Sequence, residues 1–139
     1  MRASFVAGFG PMTRDTATSR AFWGDAVGIE LRELSEDYFV SDKLDGVKHF
    51  GIWPLSQAAD TIFGTTEWPD DVPAPTAWME IDVASPDDVA PAIAELQAAG
   101  HRVLRDAHLE PWGQTTSQLL SPEGMLLGVT YTPWMHESD

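Results

Sequence analysis

The sequence predicts an α+β fold made of two repeated βαβββ modules, forming a curved mixed sheet around a cleft. Three observations predict it. Two helix patterns each end on a glycine, Gly28 and Gly100. One strand signal precedes each helix and three follow it. A Pro-rich stretch separates the two sets, so the order of elements repeats although the residues scarcely do.

The first module spans residues 1–55. Ser4–Gly10 reads as its opening strand. Asp15 is a good N-cap for a helix from Thr16 to about Val27, in which Ala17, Ala21, Phe22 and Ala26 recur near helical spacing. Ile29–Leu34, Tyr38–Ser41 and Val47–Trp53 read as strands, with Asp45-Gly46 as a turn. Residues 56–75 form a linker: Ser56–Phe63 predicts a short helix, and Trp68-Pro-Asp-Asp-Val-Pro-Ala-Pro75 is Pro-rich.

The second module spans residues 76–139. Thr76–Val83 reads as a strand. Ser85 is the expected N-cap of the next helix, Pro86 its first residue and Asp88 an acidic capping-box partner. Val89, Ile93 and Leu96 make its apolar stripe. His101–Leu104, Thr115–Leu120 and Met125–Thr132 read as strands, and Pro122-Glu123-Gly124 as a turn.

Composition narrows the function classes. The chain has 139 residues, 43% of them hydrophobic and 22% charged, as expected of one ordinary globular domain. No run approaches the roughly 18 apolar residues of a membrane span, and no charged segment followed by an apolar stretch opens the chain. The expectation is a cytoplasmic protein without membrane partners. Cysteine is absent, which excludes disulfides, thiolate nucleophiles and zinc–thiolate sites. Eight Lys and Arg stand against 22 Asp and Glu, a formal net charge of −14. Such a surface repels phosphates, so nucleic acid is not an expected partner. It serves solubility, and it attracts cationic small molecules.

Three strings carry a family resemblance. They are Thr18-Ser-Arg-Ala-Phe-Trp-Gly-Asp-Ala-Val-Gly28, Glu110-Pro-Trp-Gly-Gln114 and Leu120-Ser-Pro-Glu-Gly-Met-Leu-Leu-Gly128. The first resembles the first helix of the vicinal oxygen chelate superfamily, which includes glyoxalase I, bleomycin-resistance proteins and extradiol dioxygenases. The second resembles that superfamily's loop before the seventh strand, and the third its closing hairpin. The resemblance covers essentially the whole chain and implies the glyoxalase/bleomycin resistance fold. It also implies homodimers and, in the enzymes, a divalent ion held by His and Glu from the first, fourth, fifth and eighth strands.

Against that ligand pattern this sequence departs. Gly8 matches the usual His of the first strand, and Gly128 stands where the usual Glu of the eighth belongs. The fourth strand offers His49. The fifth offers Glu80 and Asp82, with Trp78 near the usual ligand position. Two of four positions are lost, fewer donors than the three a catalytic metal needs. No metal or other cofactor is therefore expected, unless loops recruit one. The departure points to the branch that resembles bleomycin-resistance proteins, which sequester a cationic drug without chemistry.

The candidate ligand-binding residues are His49, Trp53, Trp78, Glu80, Trp112, Gln114 and Ser117. Trp53, Trp78 and Trp112 could stack on a planar or cationic ligand, or fill core. Alternation puts His49 on one face with Val47, Gly51 and Trp53, where it could bind ligand or act as a base; otherwise it faces solvent or is satisfied in the core. Gln114 could orient a polar ligand or cap its loop. Ser117 shares a face with Thr115, and inward hydroxyls suggest a wet pocket. Glu80 would be a base or a counter-ion if Trp78 points inward, and a solvent-facing Glu otherwise. His101, His108 and His136 are expected to be exposed. The expected function is metal-independent binding of a small molecule, with cationic or aromatic antibiotics as candidates. The alternatives are a metal-dependent lyase or dioxygenase of the same superfamily, an enzyme using His49 and Glu80 as acid–base partners, or a structural or regulatory partner-binding module. No catalytic residue is assigned.

Overall fold

A computed structural model of the chain describes residues 1–136. Among them, eight strands and three α-helices follow the predicted order, and the fold is α+β. The chain divides into two compact units, Gly8–Trp78 and Met1–Ala7 with the chain from Met79 on. The boundary falls inside the first strand of each predicted module.

In the Gly8–Trp78 unit the strand order is β2-β3-β4-β1. These strands are β1 (Phe5–Thr13), β2 (Arg32–Ser35), β3 (Tyr38–Ser41) and β4 (Phe50–Pro54). β1 and β4 run parallel, with Phe9 opposite Phe50 and Met12 opposite Trp53, while the other pairs are antiparallel. Parallel neighbours need a long crossover, here α1 with β2 and β3. Gly10 permits the closest approach, since a Cβ there would lie 1.8 Å from the Gly51 carbonyl oxygen.

α1 (Thr16–Arg20) starts as predicted, with the Asp15 carboxylate accepting from Thr18 N at 3.2 Å. It then widens into a π-helical stretch, Ala21–Ala26, closed by Val27 N–H donating to Phe22 O. The predicted apolar stripe is corrected here. Ala17, Ala21, Phe22 and Ala26 are all exposed, Phe22 at 54%. The covered side is instead Thr16, Ser19, Trp23 and Gly24, while the Arg20 guanidinium lies 4.0 Å over the Phe39 ring. Trp23 packs with Ile29, Leu31, Val47, Phe50 and Ile52. Val47 therefore belongs to this core and not to the face of His49. α2 (Leu55–Phe63) fills the predicted short-helix position and ends on Gly64 in the left-handed region.

In the other unit the order is β5-β8-β7-β6, with β5 (Ala77–Asp82), β6 (Val103–Leu109), β7 (Thr115–Leu120) and β8 (Leu126–Thr130). The helix begins as a 3-10 turn, Pro86–Asp88, and continues as α3 (Val89–Ala98). Ser85 makes no side-chain cap bond, because Pro86 and the 3-10 turn take over the start. Val89, Ala92 and Ile93 pack with Val83, Leu119 and Val129, and Leu96 adds its edge as the stripe predicts. β6 is longer than predicted and bulged, and it takes in His108. With one face of β7 and β8 on α3, alternation turns their other residues toward the opposite face.

Candidate functional site

That opposite face carries a connected polar network. Glu80 and Asp82 are two apart on β5 and project to the same side. Gln114, at the end of the Glu110–Gln114 turn, joins them. Its amide donates to Glu80 Oε1 at 3.1 Å and to Thr132 Oγ1 at 2.9 Å, and its oxygen accepts from Trp112 Nε1 at 3.0 Å. Both donors of this amide and one acceptor site are thus spent on side chains.

Asp82 is fully buried. Its carboxylate accepts from Thr130 Oγ1 at 2.5 Å, Thr132 N at 2.6 Å and Thr132 Oγ1 at 3.0 Å, with His136 Nε2 at 2.7 Å as a fourth partner. The His136 ring stacks on Tyr131 at 4.2 Å and leans on Phe5 at 4.9 Å. His136 is therefore partly buried and structural, which corrects its expected exposure. Glu110, also buried, accepts from Arg105 at 2.9 Å and from Thr116 at 2.7 Å.

These neighbours set the proton affinity of Glu80. Burial pushes its carboxyl up to about 7. The Gln114 hydrogen bond opposes this, and the negative charges of Asp82 and Glu110 reinforce it. A carboxyl that titrates near neutrality can be a counter-ion or can exchange a proton. Trp112 is 60% exposed, so an indole face beside this network is open to solvent.

Ser117 is fully buried, and its hydroxyl donates to Val129 O at 2.6 Å. The hydroxyl is satisfied by the neighbouring strand, so it is not evidence of a wet pocket.

The Gly8–Trp78 unit gathers the other candidates. His49 lies one residue before β4, not inside it. Its Nε2 is 2.8 Å from Tyr38 Oη and its Nδ1 is 3.3 Å from Asp42 Oδ1. Burial lowers its pKa, and the Asp42 hydrogen bond works against that. With both ring nitrogens engaged, His49 is satisfied within the fold. Asp42 is likewise held below the usual carboxylate range, chiefly by Arg32. Trp78 is 3% exposed and donates to Gly51 O at 3.0 Å. It meets the rings of Trp53 at 6.0 Å and His49 at 6.2 Å. An indole so enclosed fills space and has no free face for a ligand. The predicted grouping of His49, Gly51 and Trp53 is present, built around Trp78.

A cavity of about 750 Å³ in the same unit is lined by Arg14, Asp37, Trp68 and Asp70 among others, and by none of the predicted site residues. Trp68 holds its wall by donating to Val72 O at 2.9 Å.

A family model described as a glyoxalase-like domain matches residues 9–130. The chain belongs to the glyoxalase-like domain family. Solved structures agree on the fold. A glyoxalase/bleomycin resistance protein/dioxygenase superfamily member from Vibrio splendidus aligns over 92% of this chain and 98% of its own, at 16% identity and TM-score 0.58. The Mn(II)-bound glyoxalase from Novosphingobium aromaticivorans aligns over 94% of this chain and 39% of its own, at 18% identity and TM-score 0.56. A protein described as an NAD-dependent benzaldehyde dehydrogenase from Legionella pneumophila aligns over 89% and 96%, at 14% identity and TM-score 0.59. These likenesses establish the fold, and a shared fold leaves the chemistry open. No curated protein sequence matches the chain.

The described residues of this glyoxalase-like chain do not fit a metal of the kind the resemblance implies. Among the described residues no three His, Asp or Glu side chains converge as a ligand set. At the two of four donor positions that carry glycine, other side chains stand in the way. A Cβ on Gly8 would lie 2.8 Å from the Trp78 ring, and a Cβ on Gly128 would lie 3.0 Å from Glu80 Cγ. Of the carboxylates nearest such a role, Asp82 is committed to hydroxyl, backbone N–H and imidazole partners, and Glu80 Oε1 accepts from Gln114. Among the described residues no helix is long and apolar enough to cross a membrane.

Proposed function

We propose that this glyoxalase-like protein binds a small molecule without a metal ion, at the face carrying Glu80, Gln114 and Trp112. The observation that carries the reading is the Trp112–Gln114–Glu80 chain of hydrogen bonds. It links an exposed indole to a carboxyl with a strongly raised pKa. An aromatic face beside a few convergent polar groups is what a ligand site requires. Of the candidate residues, Glu80, Trp112 and Gln114 contact ligand in this reading. Trp53, Trp78, His49 and Ser117 support the fold. The ligand class includes cationic and aromatic antibiotics, in keeping with the net charge of −14. The protein works in the cytoplasm as a homodimer, and the exposed apolar Phe22 and Val27, in and just after the π-helical stretch, support the dimer. Sedimentation velocity tests the dimer directly.

A second reading is favoured by one observation, the Glu80 carboxyl near pH 7. In it Glu80 exchanges a proton with a bound substrate as general base or acid. His49 is not its partner, since both its ring nitrogens are already engaged.

The test is a tryptophan-fluorescence screen of chelator-treated protein against cationic and aromatic compounds. Binding that quenches wild type, and is lost in both Trp112→Phe and Gln114→Ala, supports the site. Binding unchanged in both variants contradicts it. Turnover of the bound compound that disappears in Glu80→Gln selects the second reading.

A further inference from the structure

We propose that the face beside Gly128 is a subsite for a ligand ammonium group, held between the Glu80 carboxylate and the side-chain oxygen of Gln118. The inference rests on the binding reading above and names the chemistry of one end of the ligand.

Three carboxylates lie in this network, and two have a basic partner. Asp82 has His136 at 2.7 Å and Glu110 has Arg105 at 2.9 Å. Among the described residues Glu80 has only the Gln114 amide, at 3.1 Å. Its charge is thus left for a ligand to meet, and the carboxylates around it repel an anion.

Gln118 is the independent observation. It is 4% exposed, and its Oε1 is buried with no hydrogen-bond partner among the described residues. Buried polar atoms are nearly always satisfied, so an orphaned acceptor calls for a donor that the described residues do not supply, here a ligand's. The sheet register aims it at the same place. Gln118 stands directly opposite Gly128 in the β7–β8 pair, so the two residues project to one face. The direction a Gly128 side chain would take ends 3.0 Å from Glu80 Cγ. Gln118 therefore rises beside Glu80, across a residue that contributes no side chain. The terminal torsion of Gln is soft, so its oxygen can turn toward a ligand that enters past the partly exposed Glu80. An ammonium group has three donors and one positive charge, which serves both acceptors at once. A hydroxyl donates one hydrogen bond and leaves the carboxylate unneutralised.

The probes are 2-phenylethylamine and 2-phenylethanol, which share a ring and a chain and differ in the head group. Each is titrated into the full chain by calorimetry at neutral pH. Wild type is expected to bind the amine about tenfold more tightly than the alcohol, as a charge-assisted contact should provide. Gln118→Met keeps the length and removes the acceptor. It should lose about tenfold in affinity for the amine, while its ligand-free unfolding midpoint stays level or rises, because an orphaned polar atom has gone. Gln118→Glu keeps an acceptor, and it should bind the amine at least as tightly as wild type. Equal affinity for the two probes overturns the subsite. So does an unchanged amine affinity in Gln118→Met, which would mean that a bound water serves the oxygen. Failure of both probes, while the wider screen finds another ligand at Trp112 and Gln114, overturns the subsite and leaves the binding reading standing. A screen with no ligand at all removes the reading itself.

Discussion

His136 Nε2 lies 2.7 Å from Oδ2 of Asp82, a carboxylate with no exposure to solvent, and so ties residue 136 to β5. Fifty-four positions separate the two residues in sequence. The Phe5 and Tyr131 rings fix the imidazole from the sides. Through Thr132, the same carboxylate is joined to Gln114 and hence to Glu80. The end of the described chain is thereby part of the network that positions the candidate site.

His136→Phe separates the hydrogen bond from the aromatic packing. The ring can still stack on Tyr131, but Asp82 loses one of four partners. The expected cost is about 1–3 kcal/mol, as for a buried charged group that loses one hydrogen bond. Urea unfolding of variant and wild type measures it. A cost near zero would mean that the three threonine contacts alone satisfy Asp82.

The two glycines of β1 predict a graded response. In Gly10→Ala the new methyl would sit 1.8 Å from a backbone oxygen of β4, which cannot move without parting the strands. A loss of about 3 kcal/mol or more is expected, enough to reduce soluble yield. In Gly8→Ala the methyl meets the Trp78 ring at 2.8 Å, and a ring can tilt. A loss of about 1–3 kcal/mol is expected there. Thermal unfolding ranks the pair, and the reverse order would contradict the packing described for Trp78.

Glu80 makes stability depend on pH with a definite sign. Its ordinary pKa of 4.5 rises to about 7 in the folded protein, so the native state binds the extra proton. The contribution is fully present below pH 4.5 and is lost as pH rises through about 7. His49 acts oppositely. Its pKa falls on folding from 6.5, so its contribution is present above that value and is lost as pH falls. Comparison of wild type with Glu80→Gln cancels the His49 part. The variant should gain on wild type as pH rises from 4.5 to 8, by up to about 3 kcal/mol at about 1.4 kcal/mol per pKa unit. Partial solvent contact at Glu80 keeps the gain below that ceiling. A difference that is flat with pH would place Glu80 in ordinary solvent.

Much of the fold was legible because turn chemistry is local. Asp15, Gly28 and Gly100 act as the cap and the stops that their types suggest. The buried side of α1 was not legible, because it is made of Thr16, Ser19, Trp23 and Gly24, residues with no common hydropathy. At the site, Glu80, Trp112 and Gln114 stood out by residue type, and the structure joins them. Asp82, Thr130, Thr132, Gln118 and His136 were missed or underweighted. A period-two signal was available in Glu80 with Asp82 and in Thr130 with Thr132. What places His136 against Asp82, or leaves Gln118 without a donor, is three-dimensional and has no sequence pattern.

Metal content is the sharpest test of metal-free binding at the Glu80 face. Protein purified without chelator, then incubated with excess Ni, Zn, Mn and Fe(II) and desalted, is assayed for bound ion by mass spectrometry. Much less than one ion per chain is expected for every metal, with the fluorescence response to ligand unchanged by chelator. One tightly held ion per chain, released in Glu80→Gln or in His49→Ala, would contradict metal-free binding and return this glyoxalase-like protein to metal chemistry.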